Sequence, residues 1–202
     1  MCGSLLTARL EGRGQMSDLR LPQKPLEPFN VLAFDPGGTT GWAFASLPKW
    51  VIEEKPDVEM KDIYLLTGEF TGQHHQEIYE QVTQLGRSEY PTLEVVSEPF
   101  HYRQNVVGEG QNFRGKVELI SAEYIGVIRL ACQQLGLEYY DRFTPGESKA
   151  YVTDKKLELL GWLQTPKHPM RHRNDALRQL VKYLIVKKRV QHPITTAWRV
   201  AK

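Results

Sequence analysis

Cysteine is scarce in this sequence: two of the 202 residues, Cys2 and Cys132, are cysteines. Two cysteines cannot form the disulfide framework of a small secreted domain or a four-cysteine zinc site. Long apolar runs are missing as well, since no stretch approaches the ~18 residues that a membrane-spanning helix needs. Residues 1–13 also lack the cationic and apolar segments of a signal peptide. We therefore expect a soluble protein in a reducing, cytoplasmic compartment.

The composition is that of a globular protein. Hydrophobic residues make up 41% of the chain, and the 16 glycines bring the apolar fraction into the usual range of roughly 45–50%. The length favours one domain with short extensions. The prolines of LPQKPLEP, and the lack of periodicity before them, indicate a flexible leader over residues 1–28. We expect the folded domain to cover residues 29–190 and a tail to cover residues 191–202.

The formal net charge of +2 conceals an uneven distribution of charge along the chain. Residues 141–202 contain 14 Lys and Arg against 5 Asp and Glu, a balance of +9. Residues 1–140 contain 12 basic and 19 acidic side chains, a balance of −7. This asymmetry is typical of a protein whose basic part contacts a polyanion, although a solvated basic helix gives the same pattern.

The apolar pattern predicts alternating strands and helices. Nearly continuous apolar runs such as FNVLAF indicate buried strands, and apolar residues at helical spacing indicate amphipathic helices. The predicted strands cover 29–35, 41–47, 63–70, 93–99 and 137–143, and the predicted helices cover 74–87, 116–136, 145–162 and 173–189. Asn174 or Asp175 is the expected start signal of the last helix. This order predicts an α/β fold, a five-stranded mixed sheet flanked by helices.

Acidic residues stand at the carboxyl ends of two of these strands. Asp35 ends the first strand before a glycine turn, and Glu98 ends the fourth within VVSEPF. Open α/β sheets bind ligands beyond the carboxyl ends of their strands. Two carboxylates in one crevice repel each other unless a cation compensates, so the pair suggests a hard divalent ion. The alternative is that each acid caps a turn or a helix.

A third acidic element lies in RHRNDALRQL, at the start of the last predicted helix. His172 and Asp175 are three residues apart and can therefore share one face of this helix. That face can meet the two strand ends. Taken alone, Asp175 is explained by helix capping. Three acidic elements at suitable ends favour a shared site.

Together these motifs, FDPGGTTGWA, VVSEP and HRNDAL, resemble the acidic motifs of RuvC-type Holliday junction resolvases, including phage-type members. The resemblance covers residues 29–190 and implies an RNase H-like fold. It implies that two Mg²⁺ ions, with Mn²⁺ as a substitute, are bound by Asp35, Glu98, His172 and Asp175. The role of His172 stays open between ion binding, water orientation and proton acceptance.

The activity implied by the resemblance is endonucleolytic cleavage of branched DNA, especially four-way junctions, by two-metal phosphodiester hydrolysis. In the family, symmetric cuts are made by a homodimer. We expect the dimer interface on the predicted helix of residues 116–135, because its apolar stripe is broad.

The resemblance also implies DNA contacts outside the acidic set. Lysines that precede the last helix would hold the scissile phosphate, and Lys149 with Lys155 or Lys156 match them. Aromatic side chains after the catalytic Glu would contact bases. The DNA-binding candidates in that loop are Phe100, Tyr102 and Arg103. For each lysine, the alternative is a solvated helix face.

Two further motifs are weaker. GQNFRGK, at residues 110–116, approaches a P-loop, but Val117 replaces the metal-binding Ser or Thr. His74 and His75 suggest a zinc site, but adjacent side chains on a helix diverge and no third ligand has suitable spacing. We expect both histidines to be surface residues at a helix start.

Two rival functions remain. DPGGTTG is similar to the first phosphate loop of sugar kinases and actin-like proteins, which need a second lobe that one chain of this length does not supply. The other rival is a DNA-binding module that keeps the fold and the basic region without cleavage. The intact acidic set disfavours that second reading.

Overall fold

The computed structural model describes residues 28–49, 52, 63–87, 92–100, 119–163 and 171–190. Its strands are β1 (Pro28–Asp35), β2 (Thr39–Pro48), β3 (Tyr64–Thr71), β4 (Leu93–Ser97) and β5 (Glu138–Tyr140). The helices that position the site are α1 (His75–Arg87), α2 (Ile120–Leu135), α3 (Pro145–Tyr151), α4 (Asp154–Leu159) and α5 (Arg171–Lys182). A π-helical turn, Tyr183–Lys187, continues α5.

The five strands form one mixed sheet in the order β3-β2-β1-β4-β5. The pairs β1–β2 and β2–β3 are antiparallel, whereas β1–β4 and β4–β5 are parallel. This confirms the predicted α/β fold with a five-stranded mixed sheet flanked by helices. Because β1 and β4 are parallel neighbours, with Phe34 opposite Ser97, their carboxyl ends meet at one edge of the sheet.

Alternation along the strands divides the core into two layers. The layer that contains α1 and α2 is built from large side chains, among them Leu32, Phe34, Ile78, Val82, Tyr124 and Ile128. The opposite layer contains α5 and includes Val31, Ala33, Ala43, Ala45, Leu177 and Leu180. Because β2 presents glycine and alanine on this second face, α5 can lie close to the sheet.

Helix ends account for the main differences from the predicted bounds. The predicted helix over 145–162 is two helices, because Thr144 caps α3 and Thr153 caps α4 separately. The end of α2 follows the prediction, since Gly136 adopts a left-handed conformation with φ of +66°. α5 begins at Arg171, so the predicted start signal at Asn174 or Asp175 is wrong. Instead, a residue of β3 caps the first turn, as described below.

Several predictions concern residues outside the described ranges. They include the tail, the P-loop-like segment 110–116, and the leader apart from Pro28, which begins β1. Cys132 is a buried free thiol in α2. Among the helices that the structure describes, none is long and apolar enough to cross a bilayer.

Candidate active site

A row of paired residues crosses three strands at the site. Asp35 of β1 pairs with Gly41 of β2, and Gly41 pairs with Glu69 of β3. Directly paired residues project from the same face of a sheet. The row therefore presents one carboxylate on each side of Gly41, which has no side chain.

The first turn of α5 fills the space over Gly41. A Cβ atom at Gly41 would overlap the backbone carbonyl of His172. On one side of this space, His172 Nδ1 lies 2.7 Å from Asp35 Oδ2. On the other side, the Arg173 N–H donates to Glu69 Oε1 at 3.0 Å. Glu69 thus satisfies a backbone donor in the first turn, which is the role predicted for Asn174 or Asp175.

Asp35 also favours the protonated form of its histidine partner. The hydrogen bond that His172 donates to Asp35 raises the pKa of His172, and the charges of Asp35, Asp175 and Glu69 act in the same direction against the opposing effect of burial. The imidazole therefore holds a proton more firmly than a free histidine does.

Glu98 follows β4 and faces the middle of α5. Its Oε1 accepts a hydrogen bond from Gln179 Nε2 at 2.9 Å. Gln179 is fully buried, and its amide also donates to the Phe143 carbonyl oxygen at 3.4 Å. Burial, together with the charges of Asp35 and Asp175, raises the pKa of Glu98 to about 8. The shift reflects the loss of solvent first and the neighbouring carboxylates second, and a bound cation would offset both.

Asp175 lies one turn after His172 and is held from two sides. Lys149 Nζ of α3 is 2.9 Å from Asp175 Oδ2, and the Arg178 guanidinium binds Oδ1. Arg178 also pairs with Asp154 at the start of α4 and donates from Nε to the Val152 carbonyl oxygen at 3.1 Å. Asp175 therefore connects α5 to α3, and its partner Arg178 connects α5 to α4.

A cleft of about 700 Å³ opens beside Glu98. Its wall includes Pro36 after β1, Phe100 after β4 and Ser121 of α2, with Lys149 on the side of α3. The Phe100 side chain is 39% exposed and so offers an aromatic surface. The cleft thus combines a carboxylate, a cation and an aromatic ring at the carboxyl end of the sheet.

The remaining predicted DNA-binding residues are placed differently. Lys155 is exposed on α4. Lys156 Nζ donates to the Tyr151 carbonyl oxygen at 2.6 Å and so turns toward α3. Tyr102 and Arg103 lie outside the described residues. Of the three lysines, it is Lys149 that the structure pairs with an acid of the site.

The prediction that His74 is a surface residue is wrong, because this side chain is 1% exposed. It lies at the start of α1, stacked on Tyr124 of α2 with ring centroids 4.1 Å apart. His75 does face solvent, and its Nε2 lies 3.0 Å from Glu123 Oε2. His74 is buried and His75 is exposed because adjacent side chains at a helix start point in different directions.

Sequence reasoning missed four residues that shape the site: Gly41, Glu69, Arg178 and Gln179. Glu69 is preceded by leucines and a glycine in YLLTGEF, without a turn signal or a motif partner. Gln179 is an ordinary helix residue by composition. Only the approach of α5 to the sheet, which the sequence did not indicate, gives these residues a role.

The donor set fits a divalent cation by chemistry and charge. Carboxylate oxygens, with one imidazole, are ligands typical of Mn²⁺ and, for the oxygens, of Mg²⁺. Within the described part of the chain, no three His, Cys, Asp or Glu side chains already form a metal-binding cluster. The reason is visible in the contacts, since Asp35 turns to His172, Glu98 to an amide, and Asp175 to two cations.

Comparison with known proteins addresses the fold. No protein-family model matches the sequence, and no curated protein matches it. RuvC of Thermus thermophilus in complex with a Holliday junction substrate is 19% identical, with a TM-score of 0.50; the match covers 82% of this chain and 99% of that chain. A second T. thermophilus RuvC structure is 18% identical, with a TM-score of 0.51 and the same coverage. The predicted RNase H-like fold is thereby confirmed, and the chain shares the fold of RuvC.

Proposed function

We propose that the protein is a divalent-metal-dependent endodeoxyribonuclease that cleaves four-way junctions and other branched DNA. The observation that carries this proposal is the interaction between acids of β1, β4 and α5 beside an open cleft. His172 contacts Asp35, and Glu98 interacts electrostatically with Asp35 and Asp175. The fold supports it, because a RuvC structure of the same fold contains a Holliday junction substrate.

The acids of the site would hold the divalent ions. Asp35, Glu98 and Asp175 supply carboxylate oxygens, and His172 is the fourth candidate ligand. When bound, Mg²⁺ or Mn²⁺ supplies charge neutralisation and activates water for phosphodiester hydrolysis. Burial raises the pKa of Glu98 to about 8, so a cation held there would displace a proton from this carboxyl group near neutral pH.

The walls of the cleft suit a nucleic acid. Lys149, whose side chain is 54% exposed, presents positive charge toward any phosphate beside Asp175. Phe100 offers a stacking surface to an unpaired base, an interaction worth about 1–3 kcal/mol. Lys155 and the other basic residues of 141–202 extend the positive surface for the backbone of the arms.

A symmetric junction calls for two active sites, so we propose a homodimer. The outward face of α2 is the proposed interface. Leu119, just before α2, is 43% exposed, and Leu130, three turns later on the same side, is 51% exposed. Residues 116–118 of the predicted interface lie outside the described ranges. Sedimentation of the free and the junction-bound protein tests this, and a monomer in both states would contradict it.

The test of function is a comparison of substrates. We expect Mg²⁺-dependent cleavage of a four-way junction and a fork, with little cleavage of linear duplex or an RNA–DNA hybrid at equal concentrations. Asp35→Asn and Asp175→Asn are expected to bind the junction without cutting it. Tight binding of the junction by the wild type without cleavage in Mg²⁺ or Mn²⁺ would instead support the non-cleaving module.

A further inference from the structure

A buried hydrogen-bond chain connects α1 to the turn that follows Asp35. His74 Nε2 lies 2.7 Å from the Thr40 hydroxyl, and both side chains are almost completely buried. The Gly37 N–H donates to that same hydroxyl oxygen at 3.2 Å. Gly37 belongs to the turn DPGG, two residues after Asp35. The chain therefore ends on the backbone next to the site.

The protons along this chain can be placed from its acceptors. His74 Nδ1 lies 2.7 Å from the Gly72 carbonyl oxygen, which only accepts, so Nδ1 carries the proton. Burial lowers the pKa of His74, which keeps the ring neutral and leaves Nε2 as an acceptor. The Thr40 hydroxyl has two acceptors within reach, Nε2 at 2.7 Å and the Gly37 carbonyl oxygen at 3.2 Å, and it donates to the nearer Nε2. Its oxygen remains available to the Gly37 N–H. Every donor has one acceptor in this arrangement.

The histidine itself is held rigidly. Its ring stacks on Tyr124, and the Tyr124 hydroxyl donates to the Gly72 carbonyl oxygen at 3.1 Å. The ring of Phe70 lies on another side, with centroids 5.8 Å apart. His74 also accepts the backbone N–H of Ile78 through its carbonyl oxygen at 3.1 Å, so the ring is anchored at the start of α1. None of these partners is one of the four proposed metal ligands, Asp35, Glu98, His172 and Asp175.

We propose that His74 is a positioning residue: acting through Thr40, it fixes the Gly37 turn and thereby the orientation of Asp35 for metal-dependent cleavage. This inference rests on the proposed nuclease function, since Asp35 needs a fixed orientation only if it serves a reaction. The proposed role of His74 requires a hydroxyl group at position 40 that donates its proton to the histidine.

The test compares Thr40→Val, which keeps the shape and removes the hydroxyl, with Thr40→Ser, which restores it. Thr83→Val is the matched control, because Thr83 is a buried threonine of α1 whose hydroxyl donates to the Glu80 carbonyl oxygen of its own helix at 3.1 Å. His74→Gln offers an amide oxygen in the place of Nε2. Two readouts are taken: exchange protection of the Gly37 amide by NMR, and single-turnover cleavage of saturating four-way junction in Mg²⁺.

We expect Thr40→Val to lose Gly37 protection and to cut at least about tenfold more slowly, since small misplacements of reacting groups cost up to ~100-fold. Junction binding without metal should stay within about twofold of wild type, because the cleft wall is unchanged. Thr40→Ser, Thr83→Val and, in part, His74→Gln should retain both properties.

Unchanged Gly37 protection in Thr40→Val would overturn the link from Thr40 to Gly37. Wild-type Gly37 protection and cleavage in His74→Phe, which keeps a ring and removes Nε2, would overturn the role of His74. Lost protection with cleavage equal to that of Thr83→Val would overturn the positioning role. If the wild type cleaves no DNA, the proposed function fails, and the Gly37 readout still decides separately whether the chain exists.

Discussion

The two ends of β4 each carry a glutamate that faces α5 or its continuation, and the two glutamates have opposite surroundings. Glu94, near the start of β4, is bound by Lys188 Nζ and by the Tyr183 hydroxyl. Glu98, just after its end, has an amide partner and two neighbouring carboxylates. At the first end, the glutamate is paired with a lysine inside the fold. At the second end, burial and the neighbouring carboxylates outweigh the charge of Lys149, so Glu98 favours a proton or a bound cation.

This difference separates a structural acid from a functional one. A buried acid that contributes to folding is paired with a cation and hydrogen-bonded, as Glu94 is. A buried acid whose pKa is raised, as that of Glu98 is, costs stability when it is charged, and such groups cluster at functional sites.

Exchanging each glutamate for glutamine should separate the two roles. Glu98→Gln is expected to reduce single-turnover cleavage about a thousandfold or more, since metal stabilisation of a transition state is worth several kcal/mol. Its unfolding free energy at pH 8 should equal or exceed that of wild type. Glu94→Gln should lose roughly 1–3 kcal/mol of stability by breaking a charged hydrogen bond, while the folded protein still cleaves. Equal cleavage by both variants would refute the distinction.

Filling the space over Gly41 should displace α5 from the site. A Cβ at this position would overlap the His172 backbone, so Gly41→Ala must shift the first turn of α5 away from Asp35 and Glu69. We expect cleavage to fall about 100-fold, and stability to fall by ~1–3 kcal/mol as in other overpacked cores. Circular dichroism and urea unfolding measure the second effect. Wild-type cleavage by a folded Gly41→Ala protein would show that α5 need not touch β2.

The pH dependence of the unfolding free energy should reveal the raised pKa of Glu98. Between the ordinary glutamate pKa and about 8, the folded protein keeps a proton on Glu98 that the unfolded chain has released. The unfolding free energy of the metal-free protein therefore falls as pH rises through this window. The raised pKa of His172 acts in the same direction, because its stabilising charge is lost as pH rises.

Thermal unfolding at pH 5 and pH 8 measures this effect. We expect the metal-free Tm to fall by at least about 3 °C, since ~1 kcal/mol shifts Tm by about 2–4 °C at this size. Mg²⁺ should raise Tm more at pH 8 than at pH 5, because deprotonated carboxylates bind it. Glu98→Gln should show a flatter dependence on pH. Parallel curves for wild type and Glu98→Gln would contradict the proposed charge state.

Basic residues at the site should affect both DNA binding and cleavage, whereas basic residues elsewhere should affect binding alone. Replacing Lys149 and Lys155 with alanine, or Lys187 and Arg189 with alanine, should each reduce the slope of log affinity against log salt by up to about 1.8, given ~0.9 per phosphate. Only the first pair should slow cleavage of bound junction. Slowing by both pairs, or by neither, would show that Lys149 acts as a general phosphate contact.

The local sequence pattern was sufficient to place Asp35 and Glu98 at the carboxyl ends of two buried strands, β1 and β4. Asp35 and Glu98 follow apolar runs that can only be buried strands, and the spacing of His172 and Asp175 fixes their shared helix face. The parallel pairing of β1 with β4, which the predicted mixed sheet did not specify, then brings these elements together.

Contacts between distant segments were not predictable in the same way. Glu69 caps a helix about 100 residues later, and Gln179 acquires its role only by facing Glu98 across the core. The start of α5 was misplaced because a cap was sought within the local sequence, whereas β3 supplies it. His74 was misplaced because a polar residue at a helix start is usually exposed, and its buried partners Thr40 and Tyr124 come from other elements.

The most direct test of the central claim is anomalous scattering from crystals of the protein soaked in Mn²⁺. The account predicts bound Mn²⁺ within about 2.0–2.4 Å of carboxylate oxygens from Asp35, Glu98 and Asp175, the range for hard divalent ions. It also predicts that Lys149 and His172 leave their present carboxylate partners. Manganese bound only at other positions, under conditions in which the protein cleaves a four-way junction, would contradict the account.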